Sequence, residues 1–316
     1  MLFNKCFIFA AVEEFEKSLR VMHIGELSAL CVAICWTLSA LFFEKAGSKI
    51  GSLAVNVIRL VTAIVFLGLI ACISRGYFLP TDATPYQWFW LSLSGFVGFF
   101  LGDLFLFHSY SIIGSRMAQL VMTLAPPITA ITGFLLLNEH LTLKQILGIS
   151  ITVCGIFIAM FGKKRGEKFS FNLPLKGFLF ALGGAAGQAV GLVLSKKGLC
   201  GYDVISATQI RAITGGLSFV LLVTFLKRWS YIKKSFSNKS GLKFVLSGSV
   251  FGPVIGVSLS LYAVQHTEAG VAATLMALVP IIIILPSALI FKEKITFYQV
   301  LGAFVSVAGC VMLFLK

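Results

Sequence analysis

The sequence predicts an all-α polytopic membrane protein of ten transmembrane helices, built as two inverted five-helix repeats. Three observations predict it. Hydrophobic residues make up 58% of the chain and charged residues 12%, with a mean hydropathy of +0.96, whereas soluble domains carry roughly 25% charged residues. Apolar runs of about 20 residues, enough to cross the hydrocarbon core as a helix, recur along all 316 residues. The chain also repeats itself. A shift of 154 positions lays Gly95–Phe157 on Ser249–Val311, matching Gly98 with Gly252, Gly102 with Gly256, Met122 with Met276 and Pro126 with Pro280. Glu139 then meets Glu293, Thr142 meets Thr296, Gln145 meets Gln299 and Gly148 meets Gly302.

In chain order, residues 1–23 form an N-terminal extension, apolar at first and broken by Lys5 before a charged stretch. It has neither a long uninterrupted apolar region nor a clean small-residue cleavage site, so no cleaved signal peptide is predicted. Met22, directly before the first repeat, is a candidate translation start. Ten spans follow at 27–43, 53–73, 88–110, 118–137, 146–162, 177–194, 205–226, 244–264, 271–291 and 298–315. The first repeat covers 24–162 and the second 177–316, joined by a basic linker at 163–176. The earlier spans also match with a slip in register: Leu41–Gly47 parallels Leu192–Gly198, and Asn56–Arg59 parallels Thr208–Arg211. Each half therefore holds five spans. An odd number makes the second copy enter the membrane from the opposite side, a common plan of secondary transporters with the site near the midplane between the halves.

The net charge of +14 reads as loop charge rather than as a nucleic-acid surface. From Lys45 onward sixteen Lys and Arg fall on one face of the predicted topology. The other holds five, Arg75, Lys144, Lys196, Lys197 and Lys316. The positive-inside bias places the linker and the Lys227–Lys243 loop in the cytoplasm and both termini outside. Seven scattered cysteines give no disulfide framework. No phosphate-binding G-x-x-x-x-G-K-[ST], H-E-x-x-H or G-x-S-x-G occurs, so neither nucleotide-driven pumping nor an intramembrane hydrolase or metalloenzyme is predicted.

The doubled pattern is a Pro in span four or nine, a Glu at that span's end, then [LI]-T-x-x-Q-x-x-G entering the next span. Here it is Pro126, Glu139, Thr142, Gln145 and Gly148, and again Pro280, Glu293, Thr296, Gln299 and Gly302. With it, residues 24–316 resemble the EamA family of the drug/metabolite transporter superfamily. The resemblance implies a central cavity between two five-helix halves, transport of small metabolites such as amino acids, often as export, and cytoplasmic termini, against the charge count.

Both Thr-x-x-Gln turns fit a capping box, in which Thr oxygen accepts an orphan amide and Gln reaches back to the cap residue's N–H. Pro126, Glu139, Pro280 and Glu293 are expected to form the hinge and scaffold. Arg59 and Arg211 each lie about two turns inside their spans, where an arginine costs at least about 2.5 kcal/mol and turns inward to find partners. They either snorkel or cap carbonyls of a neighbouring helix, or face a substrate carboxylate or phosphate. Asp103, matched to Val257, is the acid deepest inside a predicted span; it is open to pairing with Arg59, to binding a cation or to carrying a proton. His108, matched to Tyr262, is a candidate titrating group near neutral pH. Trp36, Gln119, Gln188 and Gln209 complete the candidate cavity residues. Gly183–Gly191 is dense in small residues, suited to close helix approach, which leaves Gln188 in need of partners.

The expected function is thus a secondary transporter moving an amino acid or related solute, as export, by alternating access. The alternative is a non-transporting membrane receptor, assembly factor or accessory of lipid or glycan chemistry. No enzymatic activity, metal or cofactor is expected. H⁺ is the candidate coupling ion, carried by Asp103, His108 or a repeat Glu. The expected partners are a small-molecule substrate and membrane lipid, with no nucleic acid, in a monomer or homodimer of the inner cell membrane.

Overall fold

The computed structural model describes residues 3–137, 142–161, 174–266, 275–292 and 295–314. The helices are α1 (Phe3–Ile50), α2 (Ser52–Arg75), α3 (Pro85–Ser94), α4 (Asp103–Val121), α5 (Ala125–Leu137), α6 (Leu143–Phe161), α7 (Leu175–Leu199), α8 (Val204–Phe225), α9 (Trp229–Phe236), α10 (Lys239–Ser249), α11 (Val257–His266), α12 (Val279–Ile282), α13 (Ile284–Phe291) and α14 (Phe297–Phe314). No strand occurs among the described residues.

Among the described residues, six stretches are long and apolar enough to cross a membrane, and Leu143–Ala159, Val279–Phe291 and Phe297–Met312 are shorter apolar helices. One of the six, Pro85–Thr132, has 48 residues, about twice what a bilayer needs. Gly114 divides it. At φ 75° and ψ 161° this residue occupies backbone space that side chains other than glycine's rarely enter, and the chain reverses there. Ser115, restarting the helix, donates its amide to Glu44 Oε2 of α1 at 2.7 Å, so a distant carboxylate does the work of a cap. Counted on both sides of Gly114, the described helices supply the ten predicted crossings, the ninth described only from Leu275.

The inverted symmetry is visible where α6 crosses α14. Thr152 and Ser306 are repeat mates, and each hydroxyl donates to the other's carbonyl, at 3.4 and 3.3 Å. A Cβ on Gly155 would collide with the Ser306 amide, and one on its mate Gly309 with the Thr152 amide. Reciprocal contacts between mates arise when a two-fold axis runs between them, and antiparallel helices place that axis in the membrane plane. Here the absence of a driving force between apolar helices in lipid makes backbone approach and hydroxyl pairing the adhesive.

The Thr-x-x-Gln turns form their boxes. Thr142 N–H donates to Gln145 Oε1 at 2.8 Å and Gln145 N–H to Thr142 Oγ1 at 3.3 Å. The mates do the same at 3.2 and 3.4 Å. A third box, Thr84 with Gln87, starts α3. Glu139 and Glu293 lie outside the described residues.

Spans three and eight each contain a π-helical segment, Gly95–Gly102 and Val250–Gly256. The wider turn lets glycines meet a helix of the other half. Gly98 and Gly102 abut Gly191 and Gly187 of α7, while Gly252 and Gly256 abut Ser39 and Trp36 of α1. Each half thus grips the other's first helix with its third. The hydroxyl of Ser94 donates to Gly191 O at 2.6 Å, and that of Ser39 to Gly248 O at 3.2 Å. Where α9 meets α1, Tyr231 donates to Ile50 O at 2.7 Å.

Candidate functional site

Between the halves lies a cavity of about 260 Å³. Each span-three and span-eight π segment delivers its next residue to the wall: Asp103 in the first half, Val257 in the second. Local π geometry recurs at functional sites because the extra residue per turn reorients side chains that a regular helix would aim elsewhere. The helix breaks reach the same wall. Span four passes through a 3₁₀ turn at Met122–Leu124 before Ala125, and span nine restarts as α12 and α13. Met122, Pro126, Met276 and Pro280 all line the cavity.

The polar centre is buried. Arg59 and Asp103 form an ion pair with side chains 5% and 4% exposed. Arg59 Nε also donates to Asn56 Oδ1 at 3.2 Å, and its guanidinium carbon sits 4.7 Å from the Phe107 ring centroid. The other Asp103 oxygen accepts from Gln188 Nε2 at 2.7 Å. Asp103 therefore ties span two, span three and span six together, and its carboxylate is shared between the two halves. Gln119 Nε2 donates to the Tyr110 hydroxyl at 2.8 Å, bridging span four to span three across the Gly114 reversal. Arg211 also faces the cavity, its guanidinium carbon 4.5 Å from the Phe99 ring centroid.

Of the eight sequence candidates, Trp36, Arg59, Asp103, Gln119, Gln188 and Arg211 line this one cavity. His108 and Gln209 do not. Five residues on from Asp103, His108 is turned about 140° round the helix, and its ring packs edge-on against Phe180 at 4.6 Å. Gln209 precedes Arg211 by two residues and so occupies the opposite helix face. Its Nε2 donates to Phe78 O at 2.8 Å and Ile64 O at 3.3 Å, which fixes the turn after α2. The hydroxyl of Tyr110 and the aromatic wall of Phe99 and Phe107 are cavity features that sequence reasoning passed over. An aromatic in a span is ordinary core until its neighbours are known.

A two-halved helical chain with a buried charged cavity at the seam is the form of a carrier, and the comparison with protein families decides the matter. The EamA-like transporter family matches twice, over residues 23–161 and 175–315. The chain belongs to that family. It is a transporter rather than an enzyme, embedded in lipid as a multi-pass membrane protein and acting on a small molecule. The transporter is 23% identical over 258 residues to the "Uncharacterized transporter YetK" of Bacillus subtilis (strain 168), covering 81% of this chain and 76% of that protein. It is also 23% identical over 198 residues to the "Probable amino-acid metabolite efflux pump" of Salmonella typhimurium, covering 61% of this chain and 65% of the pump. A solved crystal structure superposes with a TM-score of 0.64 at 16% identity, over 92% of this chain and 96% of that one. At that identity the likeness extends to the fold alone.

Proposed function

We propose that the protein is a secondary transporter that exports an amino acid or related metabolite across the inner cell membrane by alternating access. The observation that carries this reading is the cavity at the seam of two inverted halves, with helix breaks at matched positions on its wall. Broken helices at equivalent places in inverted repeats mark substrate sites in carriers, and rocking of one half against the other exposes such a site to each side in turn. The amino-acid assignment draws on the efflux pump of Salmonella typhimurium named above. H⁺ is the coupling ion in this proposal. Asp103 is its carrier, as the acid on the cavity wall among the described residues.

Reconstitution into proteoliposomes tests the reading. Counterflow of radiolabelled amino acids and of their deaminated acids should exceed that of protein-free vesicles. An imposed pH gradient should drive net flux in the wild type and not in Asp103→Asn. Folded protein that moves none of these solutes would overturn the proposal.

A further inference from the structure

Each half places one arginine on the cavity wall, and only the first has a counter-ion. Arg59 is paired with Asp103, whose second oxygen is taken by Gln188. Arg211 is 4% exposed, yet its Nε has no hydrogen-bond partner. Among the described residues no acid forms an ion pair with it. Asp103 is near enough for its charge to reach Arg211, but its oxygens are committed elsewhere. The reason is legible in the repeat: the position matched to Asp103 is Val257, which lines the same cavity. The described cavity wall therefore carries two cations and one anion.

Resting on the transport reading, we propose that Arg211 binds the anionic head of the transported solute, and that among the solutes that reading admits this one is a related metabolite rather than the amino acid itself, an organic carboxylate monoanion without a free ammonium group. A buried unpaired cation is costly, and a ligand carboxylate that pairs with it removes that cost. The planar guanidinium offers parallel donors that match both oxygens of a carboxylate, and Phe99 holds its face. One negative charge brings the wall to neutrality. A zwitterion would bring an ammonium group as well. Its natural acceptor, Asp103, has both oxygens engaged by Arg59 and Gln188; the other polar groups on the described wall, such as Tyr110, Gln119, Thr129 and Ser260, are neutral, and no second carboxylate lines it.

The test compares pairs of solutes with the same apolar body, on the purified full-length protein. The pairs are L-phenylalanine against 3-phenylpropanoate and L-leucine against 4-methyl-2-oxopentanoate, with phenyl phosphate as the phosphate arm. Binding is read by tryptophan fluorescence and calorimetry, flux in proteoliposomes. The carboxylate anions should bind at least about tenfold more tightly than their zwitterions, and Arg211→Gln should lose at least about tenfold of that affinity while Arg211→Lys keeps part of it. Val257→Asp should lose it too, with the arginine in place, because it supplies the missing counter-ion from within. Equal or tighter binding of the zwitterions, tighter binding of phenyl phosphate, or affinity indifferent to both variants would overturn the inference. Anion binding that follows this pattern without any flux would leave the site standing and sink the transport reading. Amino-acid flux indifferent to Arg211→Gln would do the reverse.

Discussion

The two halves share a scaffold and differ in charge. Where α6 crosses α14, mates do the same job on both sides of the axis: Thr152 and Ser306 exchange hydrogen bonds, and Gly155 and Gly309 each admit the other helix's backbone. At the cavity the equivalence stops. Arg59 has Asp103; Arg211 has Val257 in the matching place. Symmetric positions hold the halves together. Asymmetric ones give the site a direction, because a ligand anion has one vacant partner rather than two.

Breaking the first-half pair should have the largest effect. Asp103→Val copies the second half's residue into the first and leaves Arg59 buried without a carboxylate, which typically costs about 3–5 kcal/mol. We expect a steep loss of folded protein and of melting temperature. Arg211→Gln should leave stability unchanged or raise it, since it removes a cation with no internal partner. Thermal melts of the two variants in one detergent check this, and comparable losses would show that the halves are not electrically different.

Next come the symmetric glycines. Gly155→Ala and Gly309→Ala each drive a methyl into the facing helix's backbone amide. Overpacking of this kind costs about 1–3 kcal/mol. The expected result is two melting-temperature losses of similar size, because the sites are images of each other. A large loss for one and none for the other would mean that the crossing is not two-fold in solution.

Much of this was legible beforehand. Span count, inverted duplication and capping boxes rest on local signals: apolar length, period and the Thr-x-x-Gln spacing. The cavity was legible in part. Intramembrane Arg, Asp and Gln residues are costly enough that their presence predicts an inward address, and six of eight candidates share one wall. His108 and Gln209 were out of reach because polarity tells depth in the membrane but not helix face; that requires knowing which neighbours pack where, as Phe180 does for His108. The π segments were equally hidden. Their glycines read only as matched positions of the repeat, and the helices they meet, at Gly187 and Gly191 for one segment and at Trp36 and Ser39 for the other, lie far away in the sequence. The reversal at Gly114 and its Glu44 cap join residues 71 positions apart, a distance at which no local pattern speaks.

The smallest effect belongs to a second first-half ion pair, outside the hydrocarbon region, and contrasts with the buried one. Asp82 is paired with Arg75 and accepts from the Tyr202 hydroxyl at 2.8 Å. Arg75 reaches Asp203 at 3.5 Å and Ser206 at 2.6 Å, so this cluster also joins the first half to the second. Partial burial pushes the Asp82 carboxyl up, but the hydrogen bonds from Tyr202 and Arg75 outweigh it and hold the group below its ordinary value of 3.8. A depressed carboxylate contributes stability that is fully present above the unfolded value and is lost as pH falls through the folded one. Asp82→Asn should therefore lower the melting temperature slightly at neutral pH, on the order of 1–2 °C for so exposed a pair. The gap should close as pH drops below 3.8, and high salt should close it too, since exposed charges are screened and buried ones much less so. The loss caused by Asp103→Val should survive the same salt. A salt-resistant Asp82 gap, or a salt-sensitive Asp103 one, would mean that water reaches the two clusters in the opposite order from the one their burial implies.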